Sequence, residues 1–336
     1  MRIDAYTHFV PEKFFTKLVD SGYPDIGMRI RNIPSIHDLN VRKKVVDQFK
    51  DYAQILSYPM PPIELFAKGA EVEELCKVVN DGFADIIAKN SDHFPGWVAD
   101  APIGARGAGA RECERAIKNG ALGVQIHTNI AGKPLDDPEF EPFWETMNRL
   151  GKPVWMHPAR AANFPDYLTE KKSKYEIWWT LGWSYETGAA MVRLVYSGIM
   201  DKYPNLKIIT HHFGGIVPML EGRLGPGNDQ LGARTSDEDL SLVLKRLKKR
   251  PLDYFKHSFY ADTAVFGGVP ATHCGLAFYD PDKIVFASDC PFDPEKGTMY
   301  ARETLRILEG IDMPKAQKEK IWHGNLEAIT GAKFKS

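Results

Sequence analysis

Short apolar segments alternate along the chain with longer amphipathic ones, the pattern of βα units wound around a parallel sheet. Eight segments read as strands: 2–5, 52–57, 96–101, 123–126, 153–156, 207–210, 258–261 and 283–287. Several are apolar or β-branched runs without strict alternation, as strands buried on both faces are. Eight such runs separated by helical stretches predict a closed (β/α)₈ TIM barrel rather than an open sheet. Asp137-Pro138-Glu139-Phe140 opens one helix with proline and acids in its first turn, and Leu150-Gly151-Lys152 ends it. Two connections are longer than a barrel needs, 9–41 after the first strand and 225–253 after the sixth. Both are expected to be inserted cap segments or oligomer contacts on the C-terminal face. With no internal repeat, low-complexity tract or linker, residues 1–336 are expected to form one domain.

Composition narrows the partners more than the fold. The chain has 336 residues, 43% of them hydrophobic, enough for a large core. Its 43 Lys and Arg balance 44 Asp and Glu, so nothing electrostatic calls for nucleic acid or an anionic membrane. The basic run Lys245-Arg246-Leu247-Lys248-Lys249-Arg250 is accordingly read as a solvated helix face. The first residues lack the apolar core of a signal peptide, and no window approaches the roughly 18 apolar residues of a membrane span, so a cytoplasmic location is expected. Cys76, Cys113, Cys274 and Cys290 form no C-x-x-C pair and read as buried or inert thiols.

The candidate chemistry lies at the strand ends. Tyr6-x-His8 follows the first strand, His157 the fifth, His211-His212 the sixth and Asp289 the eighth. A barrel aims residues at these positions into one shared mouth. Neutral imidazole and carboxylate are ordinary ligands of zinc, manganese or iron. Alternation puts Tyr6 and His8 on the same face, with His157 and Asp289 to complete a set that leaves one position open. Adjacent His211 and His212 cannot both point inward from a regular strand. One is expected to be catalytic, and the other to pack or to hold a ligand by hydrogen bond.

In these residues the chain resembles the amidohydrolase superfamily, in its amidohydrolase-2 branch. That branch includes the aminocarboxymuconate-semialdehyde, γ-resorcylate and 5-carboxyvanillate decarboxylases. The resemblance rests on Ile3-Asp4-Ala5-Tyr6-Thr7-His8-Phe9-Val10-Pro11, Gly123-Val124-Gln125-Ile126 and Val154-Trp155-Met156-His157-Pro158. It continues through Tyr203-Pro204-Asn205-Leu206-Lys207, His212-Phe213-Gly214-Gly215, Ser288-Asp289-Cys290-Pro291-Phe292 and Gly324-Asn325. It implies His8, His157 and Asp289 as metal ligands, and His212 and Asp289 as catalytic groups. His211 would then stand behind the ligands. Arg223 and Trp179 would contact substrate, the arginine through a carboxylate and the tryptophan as an aromatic wall.

Tyr6 departs from the family pattern, which has His or Glu there. Three roles remain open for it: a ligand, a hydrogen-bond partner of metal-bound water, or the mark of a site that has lost its metal. One divalent metal is expected, zinc or manganese, with iron favoured if a phenolate binds.

The leading expectation is a metal-dependent non-oxidative decarboxylase of a small aromatic or unsaturated carboxylic acid. The aromatic supply of Trp178, Trp179, Trp183 and Tyr185 suits a planar substrate, or covers the mouth or an oligomer interface. The same ligands would serve a lactone or amide hydrolase. Tyr6 with His211 and Glu186 would suit an iron or manganese oxygenase, and loss of a ligand would suit a non-catalytic partner of a paralogous subunit. A homodimer or homotetramer is expected from the resemblance.

Overall fold

The computed structural model describes residues 1–23, 27–105 and 107–334. Its centre is a ring of parallel strands: β1 (Arg2–His8), β2 (Tyr52–Ser57), β3 (Gly96–Trp97, resuming at Ala99–Asp100), β4 (Val124–His127), β5 (Pro153–His157), β6 (Lys207–Thr210), β7 (Phe259–Asp262) and β8 (Ile284–Val285). The two pieces of β3 belong one to a three-stranded and one to a six-stranded ladder. Val98 between them still donates to Leu56 O, and Ala99 to Gly123 O. The ring closes outside the ladders, where Ala5 N donates to Phe286 O and His8 N to Cys290 O, both at 2.8 Å.

Strands surrounded on both faces need apolar residues on both, and the core has two corresponding layers. Ile3, Ala5, Ile55, Val98, Trp155 and Ile209 fill the inside of the ring. The outer layer lies between strands and helices. Helix α1 (Glu12–Asp20) and helix α2 (Leu39–Val46) follow β1, and α3 (Ala70–Lys89) follows β2. Glu71 and Glu73 stand in the first turn of α3, and Val72, Leu75, Cys76, Val79 and Phe83 recur at helical spacing on its buried stripe. After α4 (Ala108–Lys118), the helix expected from Asp137 starts as a 3₁₀ turn, Pro138–Phe140, capped by the Asp137 carboxylate. It continues as α5 (Glu141–Leu150), which Gly151 ends at φ 62°.

All eight expected strands are present, and the differences are instructive. β1 extends to His8, β4 to His127, β5 to His157 and β7 to Asp262, so polar residues that follow the expected strand ends lie within the strands. In β8 the ladder stops at Val285, because the next residues bond across the closure to β1 instead. Of the basic run, Arg250 pairs with Asp229 while Lys248 N and Lys249 N bond to Asp201 and Tyr254. Among the described residues no helix is long and apolar enough to cross a membrane.

Candidate active site at the mouth of the barrel

The C-terminal ends of β1, β5 and β6 and the turn after β8 deliver His8, His157, His211, His212 and Asp289 to one buried cluster. One nitrogen from each of His8, His157 and His211 lies within 4.8 Å of the others, and a second group of the same size joins His211, His212 and Asp289. Asp289 Oδ1 stands 3.0 Å from His8 Nε2 and 3.4 Å from His211 Nε2, and Oδ2 stands 3.6 Å from His212 Nε2. Among the described residues His8 Nε2 nevertheless lacks an aligned hydrogen bond, as do the buried His212 Nε2, His127 Nε2 and Tyr6 hydroxyl.

Local backbone explains how two adjacent histidines reach the cluster. His211 is extended at the end of β6, whereas His212 and Phe213 take φ of 57° and 51°. Each left-handed residue costs on the order of 1–3 kcal/mol, which the surroundings must offset. Asp262 does much of this: Oδ1 accepts from His212 N and Ala264 N, while Oδ2 holds His211 Nδ1 at 2.5 Å. The two glycines that follow are sterically required. A Cβ on Gly214 would lie 2.2 Å from the Tyr279 hydroxyl, and one on Gly215 would lie 2.4 Å from Ser184 O.

Asp289 is held on both sides. It too is left-handed, at φ 67°. On one side Ser288 N and Oγ donate to Asp4, at 2.9 and 2.5 Å. On the other, the fully buried Arg42 donates to Cys290 O at 3.3 Å and to Gln54 Oε1 at 2.6 Å. Gln54 Nε2 donates to the Tyr52 hydroxyl, and that hydroxyl donates to Asp4, so the bonds form a ring around the Asp289 turn.

The charges suit a cation. Burial holds His8 and His212 below the ordinary imidazole range, and burial with the neighbouring His8 and His211 holds His157 well below it. His127 falls to about 3 for the same reason. Burial alone would raise Asp289, but the surrounding histidines hold it well below the carboxylate range. His211 moves the other way: burial opposes its charge, yet Asp262 and then Asp289 push it up to about 9. Burial, then Asp262 and Asp289, push the Tyr6 phenol well above 10. Neutral imidazoles beside an ionised carboxylate are the donor set that binds zinc or manganese, so this cluster could hold a metal ion.

Three residues that the sequence reading passed over join this region. His127 ends β4 with its ring 5.6 Å from His157. Asp262 ends β7. Both sit one position past an expected strand end, where the rule that found His157 would have found them too. Arg29 lies on the turn Gly27–Arg31, which has no strand register to reveal it. Its guanidinium stands 5.3 Å from the Trp178 and Trp183 rings and 5.6 Å from Phe292. Phe292 and Trp183 in turn flank His8 and His157 at 5.6 and 5.5 Å.

Other expected residues are placed further out. Trp179 meets Trp183 edge-on at 6.3 Å and donates to Glu176, so Trp183 is the indole that touches the cluster. Arg223 is exposed on the turn Arg223–Gly227, without a hydrogen bond or ion pair among the described residues. Glu186 pairs with Arg160 at 2.9 Å rather than with the histidines.

A parallel barrel with an imidazole–carboxylate cluster at its mouth is the architecture of a metal-dependent hydrolase or lyase. The sequence profile of the family described as Amidohydrolase matches residues 3–329, and the chain belongs to that family. It is similar to the gamma-resorcylate decarboxylase of a Polaromonas species, 28% identical over 92% of this chain and 91% of the relative. It is also similar to the 2-amino-3-carboxymuconate-6-semialdehyde decarboxylase of Dictyostelium discoideum, 27% identical over 98% and 92%. In structure it resembles the 5-carboxyvanillate decarboxylase of Novosphingobium aromaticivorans, complexed with manganese and 4-hydroxy-3-methoxy-5-nitrobenzoic acid. The TM-score is 0.81 at 23% identity, covering 99% of this chain and 96% of that one.

Proposed function

We propose that this protein is a metal-dependent non-oxidative decarboxylase of a small aromatic or unsaturated carboxylic acid. The observation that carries the reading is the meeting of His8, His157 and His211 in one cluster with Asp289, whose second oxygen faces His212, beneath an aromatic rim. The decarboxylase relatives, similar over almost the whole chain, favour it over hydrolysis by the same residues.

His8, His157 and Asp289 would hold a divalent metal, manganese or zinc. When bound it supplies a Lewis acid that fixes and polarises an acidic substrate. Trp183 and Phe292 offer flat apolar faces to a planar ring, and Arg29 between them offers a carboxylate a cation. A proton taken up from solvent and held between Asp289 Oδ2 and His212 Nε2, 3.6 Å apart, passes to the carbon that bears the carboxyl group. That C–C bond then breaks, its electron pair returns to the ring and CO₂ departs, with hydrogen in its place.

The surrounding parts follow the same reading. Residues 1–336 act as one barrel domain, and the segments after β1 and β6 serve as caps, the first bringing Arg29 over the mouth. Arg223, exposed just before the second, holds a carboxylate where a homodimer or homotetramer sets its face against a neighbouring mouth. Trp179 backs Trp183 in the aromatic wall.

The test is manganese-loaded protein incubated with a panel of hydroxybenzoates and unsaturated dicarboxylates, with CO₂ and the shortened product measured. Release of both in equal amounts supports the proposal. Hydrolysis of lactones or amides with no CO₂ from any acid would overturn it.

A further inference from the structure

The sequence pattern gives the first-strand ligand position to Tyr6 and leaves His211 behind the ligands. The geometry points to a different set: we propose that His211, from the end of β6, is the third imidazole ligand of the metal and that Tyr6 does not bind it. This assignment rests on the metal-dependent reading and specifies the ligands of that site.

The first argument is the orientation of the rings. A ligating histidine keeps its other N–H on a fixed acceptor, which sets its tautomer and aims its lone pair. His157 Nδ1 meets Pro158 O at 2.7 Å, and a carbonyl can only accept. His211 Nδ1 meets Asp262 Oδ2 at 2.5 Å. His8 Nδ1 meets Ser57 Oγ at 3.1 Å, and that hydroxyl already donates to Thr7 O, so it accepts from the imidazole. With Nδ1 held in this way each ring turns its Nε2 toward the cluster, and a binding metal would displace any proton carried there. His211 has the strongest of the three anchors, a carboxylate that its backbone neighbour also grips. Tyr6 has none, since its buried hydroxyl has no hydrogen-bond partner among the described residues.

Spacing is the second argument. Ligands bonded at about 2.1 Å stand roughly 3.0 Å apart in an octahedral site and roughly 3.4 Å apart in a tetrahedral one. Asp289 Oδ1 is 3.0 Å from His8 Nε2 and 3.4 Å from His211 Nε2, and the nitrogens of His8, His157 and His211 fall within 4.8 Å. These four atoms would make a ligand set by drawing in around the ion, and the set requires no phenolate. The Tyr6 ring lies against His211, with centroids 4.2 Å apart, and its part is to support that imidazole.

Manganese titration of chelator-treated protein, read from the electron paramagnetic resonance of free Mn²⁺, tests this. Wild type should bind one Mn²⁺ per chain. His211→Ala should weaken binding more than about 100-fold, beyond the roughly 10- to 100-fold cost of losing a partner outside the ligand set. Tyr6→Phe should bind as wild type does. Electron spin-echo modulation on wild type gives a second reading that does not depend on a variant folding: three imidazole nitrogens are expected. Two imidazoles, a His211→Ala protein that stays within that outer-partner range, or a Tyr6→Phe protein that loses the metal would each overturn the assignment alone. A wild type that takes up no Mn²⁺ or Zn²⁺ would overturn the metal-dependent reading, and the assignment with it.

Discussion

At the scale of single residues, the proposed chemistry gives Asp289 two duties that usually fall to different groups. One oxygen faces His8 and His211, and the other faces His212. Asp289→Asn keeps the shape and one acceptor but cannot cycle a proton. Turnover should fall about 10²- to 10⁴-fold, the usual worth of a positioned acid or base, with the circular dichroism spectrum unchanged. Activity within a few-fold of wild type would remove Asp289 from the proton path. The same scale shows what the sequence made legible. His8, His157, His212 and Asp289 were readable because each follows an apolar run, and a barrel's strand ends share one mouth. Their division of labour was not. Whether His211 or Tyr6 faces the cation depends on Asp262, fifty-one residues further on, and on a left-handed turn that no spacing rule anticipates.

Among the elements, all eight strands were legible from their apolar runs, and what links them was not. Arg42 reads in sequence as one more charge on an amphipathic helix, yet in α2 it is fully buried. Its guanidinium ties Gln54 of β2 to the carbonyl of Cys290 after β8, and Asp4 of β1 completes the ring through Tyr52 and Ser288. Burying a cation this way is tolerable only because its donors are used. Arg42→Met would strand Gln54 Oε1 and one bond of Cys290 O, costing roughly 2–4 kcal/mol of stability. The Asp289 turn should loosen with it. A displacement of about 1 Å at a reacting group can cost 10²-fold in rate, so kcat should drop by roughly 10- to 100-fold. KM should move less, because Arg29 and Trp183 stand outside the ring. Thermal unfolding and steady-state kinetics on the same preparation check both parts. Lower stability with kcat unchanged would make Arg42 a fold residue with no hand in positioning Asp289.

For the whole molecule, the unexplained feature is apolar surface. Leu181, Tyr185 and Met219 are 67%, 62% and 79% exposed, and Ile216 is 38% exposed. The two segments that carry them meet, because Ile216 N bonds to Ser184 O and the Gly215 turn packs on the same residue. A patch of this kind on a protein of balanced charge is where a partner is expected to bind. It also continues along the chain from Met219 to the exposed Arg223, the guanidinium that the resemblance assigns to substrate and that stands outside the cluster. Both facts have one explanation if the patch joins two copies and Arg223 serves the facing mouth. Leu181→Glu with Met219→Glu should then convert a dimer or tetramer to monomer in sedimentation velocity. Activity should fall in parallel with that of Arg223→Ala, while Mn²⁺ binding stays intact because every proposed ligand lies within one barrel. A wild-type monomer at micromolar concentration with full activity would separate the patch from catalysis, and would leave Arg29 as the cation that meets the substrate.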